Sequence, residues 1–168
     1  MKIVGYTYYK GKMEMAMKSD SSLLNQRKPF FLPDWSKQIK AVPCVVVRIN
    51  HLGRHIAEKF ASRYYDAIAL GINFRAEDLL EQGKQSEGLA FDDSLCVGNW
   101  LETGTLLGKD RQTVMPIECA IAHISARMTL RTGDLIYIDT QHESYDLVPE
   151  QIISEKIANE EVLYCKIK

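Results

Sequence analysis

The 168-residue sequence has no surplus of either charge sign: 21 Lys and Arg face 22 Asp and Glu, a net charge of −1 with His neutral. Without a basic excess there are few counterions to release from a phosphate backbone, so no nucleic-acid partner is expected. The basic residues are scattered and form no runs, which argues against an anionic membrane surface. No apolar run approaches the ~20 residues of a membrane-spanning helix. The first apolar run breaks at Gly5 and lacks the apolar centre of a secretory signal, so a cytoplasmic location is the expectation. Cysteine is sparse. Cys44, Cys96, Cys119 and Cys165 lie far apart, with no C-x-x-C pair, which disfavours a structural zinc site. Each has apolar neighbours and reads as a small buried hydrophobe. With 46% hydrophobic residues, the chain has enough to build a core without a disulfide framework.

What is present reads as one domain over 1–168, because that length buries a sizeable core. Residues 2–6 form a short strand. Met13, Met15 and Met17 alternate with Glu14 and Ala16, the period of a half-buried strand whose methionines face the core. Residues 39–49 read as a strand carrying Val42, Cys44, Val46 and Arg48 on one face. Pro43 cannot donate to a ladder, so the strand is at an edge there, bulged, or begins after it. Ile56, Ala57, Phe60, Ala61 and Tyr64 recur at helical spacing. Residues 66–74 are a buried strand, 76–82 a short helix ending at Gly83, and 94–101 another strand. Residues 106–114 read as a loop. Pro116 opens a helix with Ile117, Ala120, Ile121, Ile124 and Met128 on its apolar face. Residues 135–140 are a strand, and 152–157 with 162–167 a hairpin. Strands outnumber isolated short helices, so the fold class is α+β, mainly β.

Five segments, in order, carry a family resemblance: KSDSSLL at 18–24, KPFFLPDWSK at 28–37, the stretch VVVRINHLGRHIAEKFASRYYDAIALGINFRAEDL at 45–79, AFDDS at 90–94 and LRTGDLIYIDT at 130–140. Together they resemble the fumarylacetoacetate hydrolase family over most of the chain. The stretch before Lys18 and that between Trp100 and Leu130 are shorter than is usual there. The resemblance implies a mixed β-roll with a few short helices, a homodimer, and chemistry on small 2-oxo or 1,3-diketo acids. In that family a magnesium-type cation chelates the substrate's oxygens and stabilises the enolate or oxyanion as a Lewis acid.

That chemistry needs an E-x-E pair on a strand, where period 2 aims both carboxylates at one ion, and a third carboxylate from an Asp. Alignment with the family puts Val42 and Cys44 at the E-x-E positions and Asn73 at the Asp. Valine has no ligand atom, a thiol is a soft donor, and asparagine lacks the charge. The family's N-terminal His position holds Gly11 or falls in the shortened connection. Leu89 stands where a Lys usually does. The glycine-rich loop that lets backbone amides approach a substrate carboxylate reads IDTQHES at 138–144, with Thr140 kept and no glycine. Gly53, Asp78, Phe91, Asp92, Gly133 and Asp134 match the family and sit at turns. Scaffold positions are kept and chemical positions are not.

Other constellations carry less. His51 and His55 have the i, i+4 spacing of a two-His metal face, but Gly53 lies between them, so two surface histidines around a turn is the favoured reading. His123 reads as a helix-surface or satisfied core residue. Glu118 with His123, or Asp139 with His142 and Glu143, would need the fold to bring them together. Cys44 points into the old cleft, with Val42 beside it as an apolar plug, and no cation nearby is evident to activate the thiol.

The expectation is therefore a protein of this fold without the cation, serving in binding or interaction. Its old cleft is marked by Val42, Cys44, Asn73, Leu89 and Thr140, with no catalytic or metal residue assigned and no cofactor retained. The alternative is a divergent, active hydrolase, decarboxylase or isomerase on a small 2-oxo or 1,3-diketo acid, with Asp139 and Glu143 replacing the lost carboxylates. A third possibility is a sensor that uses the pocket without chemistry.

Overall fold

The computed structural model describes residues 1–25, 27–105, 111–142 and 144–168. Eleven strands are named in chain order: β1 (Ile3–Tyr9), β2 (Lys12–Lys18), β3 (Leu23–Asn25), β4 (Ile39–Ile49), β5 (Tyr65–Ala76), β6 (Leu95–Val97), β7 (Leu101–Glu102), β8 (Leu135–Asp139), β9 (Tyr145–Asp146), β10 (Ile152–Ile157) and β11 (Glu160–Lys166). The helices are α1 (Glu77–Glu81), α2 (Gln85–Leu89) and α3 (Ile117–Ser125), with 3-10 turns at Asp20–Ser22 and Glu58–Arg63. This is a mainly β, α+β fold.

The main sheet runs β2-β1-β8-β4-β5-β6-β3, with β7 on β5 and β9 on β4, while β10 and β11 pair apart. It is mixed, because β1–β8 and β3–β6 are parallel and the other pairs antiparallel. Connectivity forces the sheet to curl. β2 and β3 stand at opposite ends of that order, yet Lys18 and Leu23 end and begin consecutive strands. Five residues reach at most ~18 Å, whereas flat strands ~4.8 Å apart would put those edges nearly 30 Å apart.

Curling separates the faces. Ile3, Cys44, Val46, Ala69, Leu95, Leu135 and Tyr137 pack together as the interior. Val47, Ile49, Ile68, Ile136 and Ile138 pack outside it against Ile121 and Ile124 of α3. Ala41, Leu70, Ile72 and Phe74 pack outside on another side, against Ile153, Leu163 and Cys165 of the β10–β11 hairpin. Glycine is required at position 5, because a side chain there would collide with the carbonyl and ring of Tyr137 on the neighbouring parallel strand.

Several local expectations change. The methionine face of β2 is the outer one: Met13 and Met17 are 42% and 49% exposed, and Met15 is the one of the three packed on the outer cluster. The opposite face of the same alternation carries Lys18, which is buried. Residues 58–63 form a 3-10 turn rather than an α-helix. The strand expected over 94–101 splits at Gly98, because Gly98 N–H donates to Leu70 but Asn99 N–H donates to Val162 of the hairpin. Pro43 lies within β4 where its partner on one side changes from β8 to β9. Its carbonyl faces that gap and accepts from Thr140 N–H, so the missing N–H costs no ladder bond. Cys119 is half-exposed, while the other three cysteines are buried, and all four are free. Of the loop expected over 106–114, residues 106–110 lie outside the described residues. No helix among the described residues is long and apolar enough to cross a membrane.

Candidate functional site inside the curled sheet

The inward row of β4 and its neighbours starts apolar and ends polar. At one end Ile3 pairs with Leu135 and Val46 with Ala69. Toward the other end, Cys44 lies opposite both Gly71 and Asp139, and Val42 lies opposite Asn73. Asp139 is completely buried. Its Oδ1 accepts from Asn73 Nδ2 at 2.9 Å, and its Oδ2 accepts from Thr7 Oγ1 at 2.8 Å and from Tyr8 N–H at 3.2 Å. Arg75 Nη1 stands 3.8 Å from the same Oδ2 and donates to the Tyr8 carbonyl at 2.8 Å.

From Asp139 the charges alternate outward. Arg75 Nη2 lies 2.9 Å from Glu77 Oε1, Lys40 Nζ 3.7 Å from Glu77 Oε2, and Lys40 Nζ 3.5 Å from Asp146. Ser144 Oγ donates to Glu77 at 3.0 Å. The ladder emerges in a surface cleft of about 390 Å³ bordered by Tyr9, Lys10, Lys40, Gln141 and His142.

Lys18 enters the interior from β2. Its ammonium donates to the Leu89 carbonyl and, at 2.9 Å, to Ser94 Oγ. Burial pulls its pKa down from 10.5 to about 7, against the attraction of Asp139 and Cys44. Burial pushes the Asp139 carboxyl up, opposed by Asn73, Thr7, Arg75 and Tyr8 N–H. The Cys44 thiol is pushed well up by burial and then by Asp139, and Lys18 only partly offsets this. Cys44 is therefore a protonated, unreactive thiol, although a cation does act on it. Tyr137 Oη and Asn73 Oδ1 are buried with no hydrogen-bond partner among the described residues.

Val42, Cys44 and Asn73 thus share the interior with Asp139. Leu89 contributes its carbonyl rather than its side chain. Thr140 follows Asp139 by one residue, so period 2 turns it to the opposite face, where its hydroxyl donates to the Pro43 carbonyl at 3.0 Å. Half of the conjectured rebuilt pair is in place, since Asp139 meets Asn73; Glu143 lies outside the described residues. Glu118 and His123 find different partners, Tyr65 at 2.8 Å and Tyr6. His51 bonds its neighbour Asn50 at 2.7 Å, and His55 has a left-handed backbone at φ 54°, outside any helix. Sequence reasoning missed Lys18, Thr7, Arg75 and Tyr137. The alternation in β2 held the signal for Lys18, which lies on the face opposite the methionines.

The donors do not suit a hard divalent cation. Among the described residues one carboxylate, that of Asp139, lies at this level of the interior, its oxygens already accept from three donors, and a guanidinium stands beside it. Among the described residues no three His, Cys, Asp or Glu side chains converge as a metal site.

No family model matches the sequence, and no curated protein matches it. Solved structures do. A Burkholderia cenocepacia protein described as a candidate fumarylpyruvate hydrolase superposes with a TM-score of 0.85 at 17% identity, covering 99% of this chain and 88% of that one. The 5-carboxymethyl-2-hydroxymuconate delta-isomerase of Mycobacterium smegmatis gives 0.83 at 14% identity, over 99% and 78%. A Yersinia pestis protein assigned to the fumarylacetoacetate hydrolase family gives 0.83 at 16% identity, over 99% and 92%. The chain has the fold of fumarylacetoacetate hydrolase family proteins.

Proposed function

We propose that this chain keeps the fold of those proteins without the divalent-cation chemistry that the family resemblance implies, and acts by binding, as a cytoplasmic homodimer. The observation that supports this reading is the state of Asp139. At the level of Val42, Cys44 and Asn73, its oxygens accept from Asn73, Thr7 and Tyr8 N–H, and the Arg75 guanidinium stands 3.8 Å from its Oδ2. A guanidinium supplies positive charge without the open coordination positions through which a metal polarises substrate oxygens. Calorimetric titration with Mg²⁺ and Mn²⁺ is expected to give no binding heat, and assays with oxaloacetate and acylpyruvates no turnover. Metal-dependent turnover at an ordinary enzyme rate rejects the proposal.

The second reading is a divergent enzyme on a small 2-oxo or 1,3-diketo acid. It draws support from Asp139 lying against Asn73 and from Lys18, an amine shifted toward neutrality in the same interior. Metal-independent oxaloacetate decarboxylation that disappears in Asp139→Asn would favour it.

A further inference from the structure

Away from that interior, residues 30–37 and the turn after α2 enclose an open concavity of about 430 Å³, lined by Phe31, Pro33, Trp35, Phe91, Asp92 and Asp93. Trp35 and Phe91 stand nearly perpendicular, with ring centroids 5.2 Å apart and planes at 77°. They make two walls of a corner. Phe31 and Trp35 remain 64% and 49% exposed, so large aromatic surface is left in water.

The segment that presents these rings is fixed at both ends. Phe30 and Leu32 exchange backbone hydrogen bonds with Lys166 and Lys168, and the Phe30 ring stacks on Phe74 at 3.9 Å. Beyond Trp35, Ser36 Oγ donates to Asp78 at 2.7 Å, and Lys37 N–H to the same carboxylate at 3.1 Å. The acidic lip is also held. Asp93 adopts a left-handed backbone (φ 58°) and donates its N–H to the Ser21 carbonyl at 3.1 Å, while Ser21 Oγ donates to Asp92 at 2.6 Å. Holding the walls in place lowers the ordering cost of binding.

Aromatic faces carry negative potential and attract weakly hydrated cations, Trp most strongly. Two adjacent carboxylates beside those faces give the concavity one charge preference. We propose that the corner formed by Trp35, Phe91, Asp92 and Asp93 binds a small organic cation bearing a quaternary ammonium group. A volume of about 430 Å³ falls in the range of small-molecule sites. Burial, and then repulsion from Asp92, raises the Asp93 pKa. Lys28 opposes the preference through its charge near Asp93, and Lys18 lies 5.9 Å from the Phe91 centroid.

The test compares choline chloride with 3,3-dimethylbutan-1-ol, its uncharged isostere, by ligand-observed NMR titration of the full chain. Choline is expected to saturate in the millimolar range and to bind at least about 5-fold more tightly than the alcohol. Trp35→Ala and the turn variant Asp93→Asn each weaken choline, Trp35→Phe restores part of the affinity, and Lys28→Gln tightens it. Equal binding of the two probes, no saturation, or choline affinity unchanged in Trp35→Ala and Asp93→Asn overturns the proposal. So does a concentration-dependent self-association that Trp35→Ala abolishes, which would assign the groove to a second copy.

Discussion

The two ends of the interior are built from the same strands and the same inward row, yet hold together differently. At the Leu135 end, Ile3, Val46, Ala69 and Leu135 meet as ordinary apolar core. At the Asp139 end, Thr7, Asn73, Arg75 and Asp139 meet as a buried hydrogen-bonded ionic cluster. Positions 42, 44 and 73 carry no carboxylate, yet that end is not apolar. Its charges come from Asp139 of β8 and from Arg75 of β5, which lie 3.8 Å apart. Apolar packing tolerates any pH, whereas a buried charge is stabilising only while its partner and protonation state are right.

Truncation at each end gives the largest predicted effect. Asp139→Ala takes the acceptor from Asn73 Nδ2, Thr7 Oγ1 and Tyr8 N–H, while Arg75 keeps Glu77 and the Tyr8 carbonyl, and is expected to cost about 3–5 kcal/mol in urea denaturation. Leu135→Ala, at the other end, is expected to cost about 2–5 kcal/mol through lost transfer energy and a cavity. The two penalties overlap in size but differ in pH response, since the Asp139 side chain titrates and the Leu135 side chain does not. Equal pH profiles for both variants would erase the distinction between the ends.

Lys18 sharpens the comparison through pH. Its folded pKa of about 7 lies below the ordinary 10.5. Above 10.5 both folded and unfolded chains carry it neutral, and its contribution is fully present. As pH falls from 10.5 toward 7 the unfolded chain takes up a proton that the folded chain refuses, so stability declines, levelling below 7. The decline amounts to several kcal/mol. Lys18→Met removes the charge in a similar volume, and Ser94 Oγ still donates to the Leu89 carbonyl at 3.1 Å. This variant is expected to be more stable than the parent at pH 7 and to lose the decline between pH 10.5 and 7. Asp139 acts with the opposite sign: its raised pKa contributes stability at low pH that is lost as pH rises through the folded value.

How much of this was legible depends on the physical signal. Alternation marks β2 and one face of β4, and the order of five segments points to the fold. β4 runs over the expected 39–49, with Val42, Cys44 and Val46 on one inward face. What alternation cannot say is which face turns inward. In β2 hydrophobicity pointed to the methionines, but curling of the sheet put Lys18 beneath Ser94 and Leu89. Arg75 is silent in the sequence, because a cation two residues beyond Asn73 carries no signal until the strand places it beside Asp139. The aromatic corner is half visible: the two prolines and three aromatics of 29–35 suggest an extended segment packed on the core, which holds for Phe30 and not for Phe31 or Trp35.

The smallest predicted effect concerns Tyr137, midway between the two ends. Its ring packs with the apolar cluster, while its hydroxyl is buried with no partner among the described residues. Burial drives its pKa well up, so it stays a neutral phenol. An unsatisfied buried hydroxyl costs about 1–3 kcal/mol of desolvation. Tyr137→Phe removes that penalty at nearly constant shape and is expected to raise stability by about 1 kcal/mol, with the Lys18 titration hardly changed. A loss of stability instead would show that a bound molecule satisfies the hydroxyl. In that case the polar end of the interior reaches further toward Leu135 than the protein's own hydrogen bonds define, and the boundary between the two ends lies beyond Tyr137.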